Sequence, residues 1–224
     1  MPPSPTTRRP RSNPQPEAAG AIRRPGGRSL DASRDVEIRA AVLELLAEVG
    51  YDQLTMEAVA ARARAGKGTI YRRWPSKADL VVDAINDLKP PPSDLPDTGT
   101  LAGDIRALFD GVALSGPDDA FALIAGLAAP LVRDRELAAA FREHFVAPRV
   151  ARLQVLLDRA ADRGEITPHP DADLLCAVFP AFCLHRTVIE GAPPDPAFVR
   201  RIVEDVLIPL ATSSKPSSPE KGAR

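Results

Sequence analysis

Aromatic side chains are scarce in this chain. Phe, Trp and Tyr make up 4 % of 224 residues, while hydrophobic residues in all reach 44 %. Any core must therefore be built from aliphatic side chains and alanine. Long alternating apolar and polar stretches are also missing, which disfavours sheet and leaves helix as the expectation. There are only two cysteines, Cys176 and Cys183. Seven residues apart on one helix, they would lie about 10 Å apart along its axis, too far for a disulfide. Neither these nor His144, His169 and His185 have the ligand spacing of a zinc site, and buried free thiols are the default. No glycine-rich phosphate loop and no nucleophile elbow occurs. An enzyme is disfavoured, and no cofactor or metal is expected. The proline- and arginine-rich N-terminus lacks the apolar stretch of an export signal. The longest uncharged apolar runs, Phe121 to Val132 and Leu174 to Leu184, fall short of the roughly 20 residues that cross a bilayer. The expectation is a cytoplasmic protein without a membrane contact.

Charge is plentiful but unevenly spread. The formal net charge is −1, yet residues 1–89 hold 15 Lys and Arg against 11 Asp and Glu, and residues 90–224 hold 14 against 19. A polyanion would bind at the front. Residues 1–32 read as a disordered basic arm, with seven prolines and with Arg8, Arg9, Arg11, Arg23, Arg24 and Arg28. Such an arm adds non-specific DNA affinity or is a passive tail. Residues 212–224 read as a second disordered tail.

A first helix begins at Ser33 or Asp35, either able to cap it. Ile38, Ala41, Val42, Leu45, Leu46 and Val49 draw one apolar stripe along it, and Gly50 ends it. Thr55 caps a short second helix, a turn follows at Arg64 to Gly66, and a third helix runs from Lys67 to Trp74 and stops at Pro75. Ser76 caps a fourth, with Asp79 three residues on, and Pro90-Pro91-Pro92 breaks the chain. Further helices are expected over 101–115, 118–132, 135–163, 171–190 and 195–210, with kinks at Pro148 and Pro180.

The segment from Arg62 to Lys77 contains Arg62, Arg64, Lys67, Arg72, Arg73 and Lys77 and no acidic residue. Basic residues across a turn between two short helices describe a helix-turn-helix spanning 55–74. The second helix of such a motif enters the major groove. Small residues there, Gly66, Gly68 and Thr69, let the backbone approach, while cations and hydroxyls meet phosphates. Thr55 offers a helix N-terminus to another phosphate.

The runs Gly50-Tyr51, Thr55-Met56-Glu57-Ala58-Val59-Ala60, Gly66-Lys67-Gly68-Thr69-Ile70-Tyr71-Arg72-Arg73-Trp74 and Ser76-Lys77-Ala78-Asp79-Leu80 resemble the DNA-binding domain of the tetracycline-repressor (TetR) family. The resemblance covers residues 35 to 88, and the back half is similar more weakly. It implies an all-α fold: a three-helix helix-turn-helix domain over 33–90 and a helical ligand-binding and dimerisation domain over 95–211. It further implies a homodimer on double-stranded operator DNA, at the nucleoid, repressing until a small-molecule inducer releases it. A regulator that ignores small ligands, or an activator, fits the same residues. Thr55, Lys67, Thr69, Tyr71 and Lys77 match positions that touch DNA, Gly66 and Gly68 match close-approach positions, and Ile70 and Trp74 match the core side. Arg72 and Arg73 lie where the family varies, and either reaches phosphate or base. Where the family's turn carries Gly-Val, this chain has Arg64-Ala65. Arginine is strained at φ > 0, so a reshaped turn and a phosphate contact from Arg64 are expected. For an inducer pocket the candidates are Phe109, Phe121, Phe141, His144, Phe145, Phe179, Phe182, Cys183, His185 and Arg186, each of which also reads as core or surface. For the dimer face they are Val178, Phe182, Phe198, Ile202, Val206 and Leu210, in a four-helix bundle made with the symmetry mate.

Overall fold

An alanine-rich aliphatic chain has little to gain from sheet, and helix is what forms. The computed structural model describes residues 27–88, 94–114, 120–167 and 170–213, and every regular element among them is helical. The basic arm up to residue 26, Pro90–Pro92, His169 and the tail from residue 214 lie outside the described residues.

Helix α1, Gly27–Gln53, starts ahead of the expected cap, inside the segment read as a disordered arm, and consists of two helical stretches that meet at Gly50. Gly50 takes φ 74° and ψ 173°, a non-helical conformation open to glycine, so the first helical stretch ends there as expected and a short second one follows across a kink. Ile38, Ala41, Val42, Leu45 and Leu46 are buried as one stripe, but Val49 faces solvent at 40 % exposure. Helix α2, Met56–Arg62, is capped by Thr55, whose hydroxyl accepts from the Ala58 amide at 3.1 Å. Helix α3, Lys67–Arg73, ends at Trp74. Helix α4, Lys77–Leu88, starts at Ser76, whose hydroxyl accepts from the Asp79 amide and donates to the Asp79 carboxylate.

The back half contains α5 (Leu101–Leu114), α6 (Ala120–Gly126), α7 (Ala128–Arg133), α8 (Arg135–Ala140), α9 (Ala147–Asp162), α10 (Ala172–Leu184), α11 (Pro196–Ile202) and α12 (Ile208–Thr212). Wider π-helical turns at Phe141–Val146, His185–Ile189 and Val203–Leu207 join α8 to α9, extend α10, and join α11 to α12. The helix expected over 118–132 breaks at Leu127. The one expected over 135–163 widens into the π-helical turn Phe141–Val146 just ahead of Pro148, the second residue of α9, and the chain stays helical through the join. Helix α10 continues through Pro180.

Two cores hold the chain together. The first gathers α1, α2, α3 and α4 around Ile38, Leu54, Val59, Ile70, Leu80 and Ile85, and takes in Leu127, Leu137 and Ala140 from the back half. The reading unit is therefore packed directly on α6 and α8. The second core joins α5, α9, α10, α11 and α12 through Leu101, Leu156, Leu157, Phe179, Cys183 and Ile202. Asp104, fully buried, accepts from the amide and hydroxyl of Thr98 and faces Arg163 at 3.4 Å. Glu165 accepts from the Leu101 amide at 2.7 Å, so the Arg163–Glu165 turn pins the start of α5.

Candidate nucleic-acid interface

The reading helix α3 is seven residues long, about 10 Å at the α-helical rise. Ile70 and Trp74 anchor its inner side at 1 % and 7 % exposure, and the Trp74 ring nitrogen donates to Asp83 of α4 at 3.0 Å. Its outer side exposes Lys67, Gly68, Tyr71 and Arg72, with Thr69 half-buried. Thr55 and Gly66 are exposed beside it. The Thr55 hydroxyl accepts from the Ala58 amide, and among the described residues its O–H finds no acceptor.

The turn is not reshaped. Arg64 itself takes φ 49°, the one non-glycine residue at positive φ among those described, and Ala65 donates to the Ala60 carbonyl at 2.9 Å. The usual glycine conformation is kept with an arginine in it, at a cost of about 1 kcal/mol or more. Its side chain is exposed.

Gly66 and Gly68 both have negative φ, so neither backbone requires glycine. A methyl group at Gly68 would meet nothing within 4 Å, and one at Gly66 only the Thr69 hydroxyl at 3.9 Å. At Gly68, inside the helix, neither packing nor conformation calls for glycine, which weakens a helix interior relative to alanine, whereas Gly66 is the N-cap of α3, where glycine is favoured over alanine.

The basic cluster is acid-free in sequence but not in space. Arg62 is gripped by Glu44 at 3.1 Å and Glu48 at 2.7 Å, both on α1, which holds the Glu48 carboxyl below its usual range. Lys67 donates to Glu57 at 2.8 Å, raising the ammonium's pKa and lowering the carboxyl's; both groups are exposed, and such pairs are readily exchanged. Arg73 turns inward, its Nε 2.8 Å from Asp35 on α1, and is three-quarters or more covered. Lys77 also turns inward. Its Nζ lies 4.0 Å from the centre of the Tyr51 ring and donates to the Tyr51 carbonyl at 3.1 Å. Arg73 and Lys77, expected at DNA, are thus braces in this structure. Arg64 and Arg72 remain exposed.

Lys77 belongs to a link that sequence reading missed. The Tyr51 hydroxyl donates to Asp134 at 2.9 Å, and Asp134 caps α8 by accepting from the amides of Glu136 and Leu137. Those amides and that hydroxyl hold the Asp134 carboxyl below its ordinary range, while burial and the carboxylate push the Tyr51 hydroxyl up. Arg133 pairs with Asp52 at 2.7 Å alongside. Farther along α4, Asn86 donates to the His144 carbonyl at 2.8 Å and accepts from Arg149 at 3.0 Å. Burial lowers the Arg149 guanidinium to about 10.

The inducer candidates do not converge on one cavity. Phe109 and Phe121 pack on Phe179, at ring separations of 4.8 and 6.1 Å, in the second core, where Cys183 is also buried. Phe141 and Phe145 stack at 4.6 Å against the first core. His144 is exposed, 3.9 Å from Asp79. Phe182 and His185 face solvent, and Arg186 is held by Glu190 and Asp195 over the Phe198 ring. An open apolar groove of about 550 Å³ lies elsewhere, between the α6–α7 junction and the end of α10, with walls of Ala125, Ala129, Ala181, Leu184 and Val188. Of the expected set only His185 touches it.

The dimer candidates divide. Ile202 is buried in the chain's own second core at 2 % exposure and is not available to a second copy. Val178, Phe198 and Val206 are half-buried, and Phe182 and Leu210 are exposed at 43 % and 48 %. The more open seam runs along α10 and its π-helical extension through Leu174, Ala177, Ala181, Leu184 and Val188, all exposed, at alternating spacings of three and four. Joined, Ala172–Ile189 is an 18-residue helix long and apolar enough to cross a membrane, which the shorter uncharged run in the sequence did not suggest.

Comparison with known proteins agrees with this architecture. Residues 38–84 match the model for bacterial regulatory proteins of the tetR family, and residues 95–206 match the tetracyclin repressor-like C-terminal domain. A transcriptional regulator of the HTH type from Mycobacterium tuberculosis is 37 % identical over 203 residues, covering 87 % of this chain and 98 % of that protein. The chain belongs to the TetR family. It is a DNA-binding transcriptional regulator and not an enzyme. The DNA-binding transcriptional repressor TetR of Mycobacteroides abscessus is 35 % identical over 179 residues, 80 % of this chain and 94 % of that one. The crystal structure of the TetR family transcription regulator SCO0332 superposes with a TM-score of 0.53 at 31 % identity, covering 79 % of this chain and 97 % of that one.

Proposed function

We propose that this TetR-family regulator is a cytoplasmic repressor that holds a palindromic operator as a homodimer and lets go when a small molecule binds its back half. Gly68 of the reading helix carries the DNA part. Nothing inside the chain asks for glycine at 68, which supports a partner surface that comes within a methyl group of the backbone there. Thr55, Arg64, Lys67, Thr69, Tyr71 and Arg72 surround that approach. Two reading helices must stand one DNA turn apart, about 34 Å, which requires two copies. The Leu174–Val188 seam supports pairing through α10, because its three-and-four spacing is that of helices packed side by side. The reading as a repressor rests on the relative that bears that name. The inducer reading rests on the continuity of the first core across α1, α4 and α8, through which a ligand favouring a mis-spaced state would lower operator affinity.

The test is binding of the full chain to DNA upstream of its own gene, at two salt concentrations, beside Lys67→Ala, Tyr71→Ala and Leu184→Glu. The expected result is tight, salt-sensitive binding to a palindrome, lost in the first two variants. Leu184→Glu is expected to run as a monomer and to bind at least tenfold more weakly. Equal, weak binding to any DNA by the unaltered chain would overturn the reading.

A further inference from the structure

Arg72 and Arg73 are adjacent, identical in chemistry and unequal in setting. Arg73 lies against Asp35 of α1, mostly covered. Arg72 is exposed, and among the described residues no hydrogen bond or ion pair to it is found. The other cations of the segment are engaged: Arg62 by Glu44 and Glu48, Lys67 by Glu57, Lys77 by Tyr51. Arg64 is exposed too, but it sits in the turn before α3, at the flank of the reading helix.

Arg72 lies one helical turn beyond Gly68, on the same outer strip. A helical side chain leans back toward the N-terminus, over the residue four positions earlier. For Arg72 that residue has no side chain, and the space a Cβ would take there is empty. The path from the Arg72 backbone along the helix surface is therefore open. Tyr71 flanks this path, exposed at 47 %. On the operator reading given above, α3 enters the major groove with its outer strip toward base edges, and the turn and the N-terminus of α2 lie toward the phosphates.

We propose that Arg72 is the specificity-determining residue of the reading helix, taking the O6 and N7 edge of a guanine in each operator half-site, and that Arg73 positions the helix by bracing it on α1. This rests on the operator reading given above. An arginine with both fork nitrogens free is suited to that edge, and such pairing is the commonest specific contact to guanine. Arg73, engaged by Asp35, supports the geometry without reading sequence.

The experiment is selection of binding sites from a randomised DNA pool by the full-length protein and by Arg72→Ala, Arg72→Lys and Arg73→Ala, with thermal unfolding of each. The unaltered protein is expected to select a palindrome with a G·C pair at one symmetric position. Arg72→Ala is expected to select the same palindrome with its preference for that pair reduced about fivefold or more and its melting temperature unchanged. Arg72→Lys keeps the charge but not the fork and is expected to lose most of the same preference. Arg73→Ala is expected to keep the preference at that pair and to melt at a lower temperature. If Arg72→Ala instead weakens binding to every sequence alike and leaves the preference intact, Arg72 is a phosphate contact and the inference falls while the operator reading stands. If the unaltered protein selects no sequence, both fall.

Discussion

Replacing Gly68 by alanine should make the protein more stable and worse at its task. Gly68 is the second residue of α3, its φ is negative, and an added Cβ meets nothing within 4 Å. Alanine at a helical site of this kind is favoured over glycine by about 0.5–1 kcal/mol. For a chain of 224 residues that corresponds to a rise of about 1–4 °C in melting temperature. If the DNA surface comes within a methyl group of this backbone, the same Cβ must be overpacked in the complex, at about 1–3 kcal/mol. Operator affinity should then fall by roughly five- to 150-fold. Differential scanning calorimetry of the free protein and fluorescence anisotropy on a labelled operator give the two numbers. A variant that is stabilised and binds as well as the unaltered protein would refute the close approach. A destabilised variant would show that the chain itself needs this glycine.

Arg64→Gly relieves a left-handed arginine and should raise stability by about 1 kcal/mol, read as the shift in a urea midpoint at unchanged slope. Tyr51→Phe removes a buried donor from Asp134 and leaves its acceptor short, and should cost about 1–2 kcal/mol in the same assay. Acid stability follows from the depressed carboxyls. Asp134, Glu165, Asp195 and Glu204 all titrate lower in the folded chain than their ordinary values of 3.8 and 4.5. The unfolded chain therefore takes up protons first as pH falls. Their stabilisation is complete above those ordinary values and is lost as pH drops through the folded ones. Circular dichroism against pH should show the loss below about pH 4, and Asp134→Asn should make that loss shallower.

Much of the front unit was legible in the sequence because its signals are local. A cap such as Thr55 or Ser76 acts on an amide three residues away, and the stripe Ile38–Leu46 repeats at the helical period. The strain at Arg64 could be read in the same way, since φ at a helix C-terminus depends on one residue and its neighbours. Gly50 shows the limit: the glycine marks the end of the first helical stretch, but not that a short second stretch follows it and buries Tyr51.

The sequence by itself determined the helical class, the reading motif and the family, because each rests on spacings of a few residues and on the side chains those spacings bring to one face. The partners of the charges were decided only by the tertiary structure. The stretch from Arg62 to Lys77 has no acid within it, yet Asp35, Glu44 and Glu48 come from α1 and Glu57 from α2 to claim three of its cations, and Tyr51 claims a fourth. Ion pairs form by distance in space, and packing three helices around one core places residues up to 38 positions apart side by side. The same packing divided the phenylalanines between two cores, took Ile202 inside and left Leu174, Leu184 and Val188 uncovered on α10. An apolar residue reads alike in sequence whether its own chain covers it or a second copy must, and only the fold shows which face its own helices leave open.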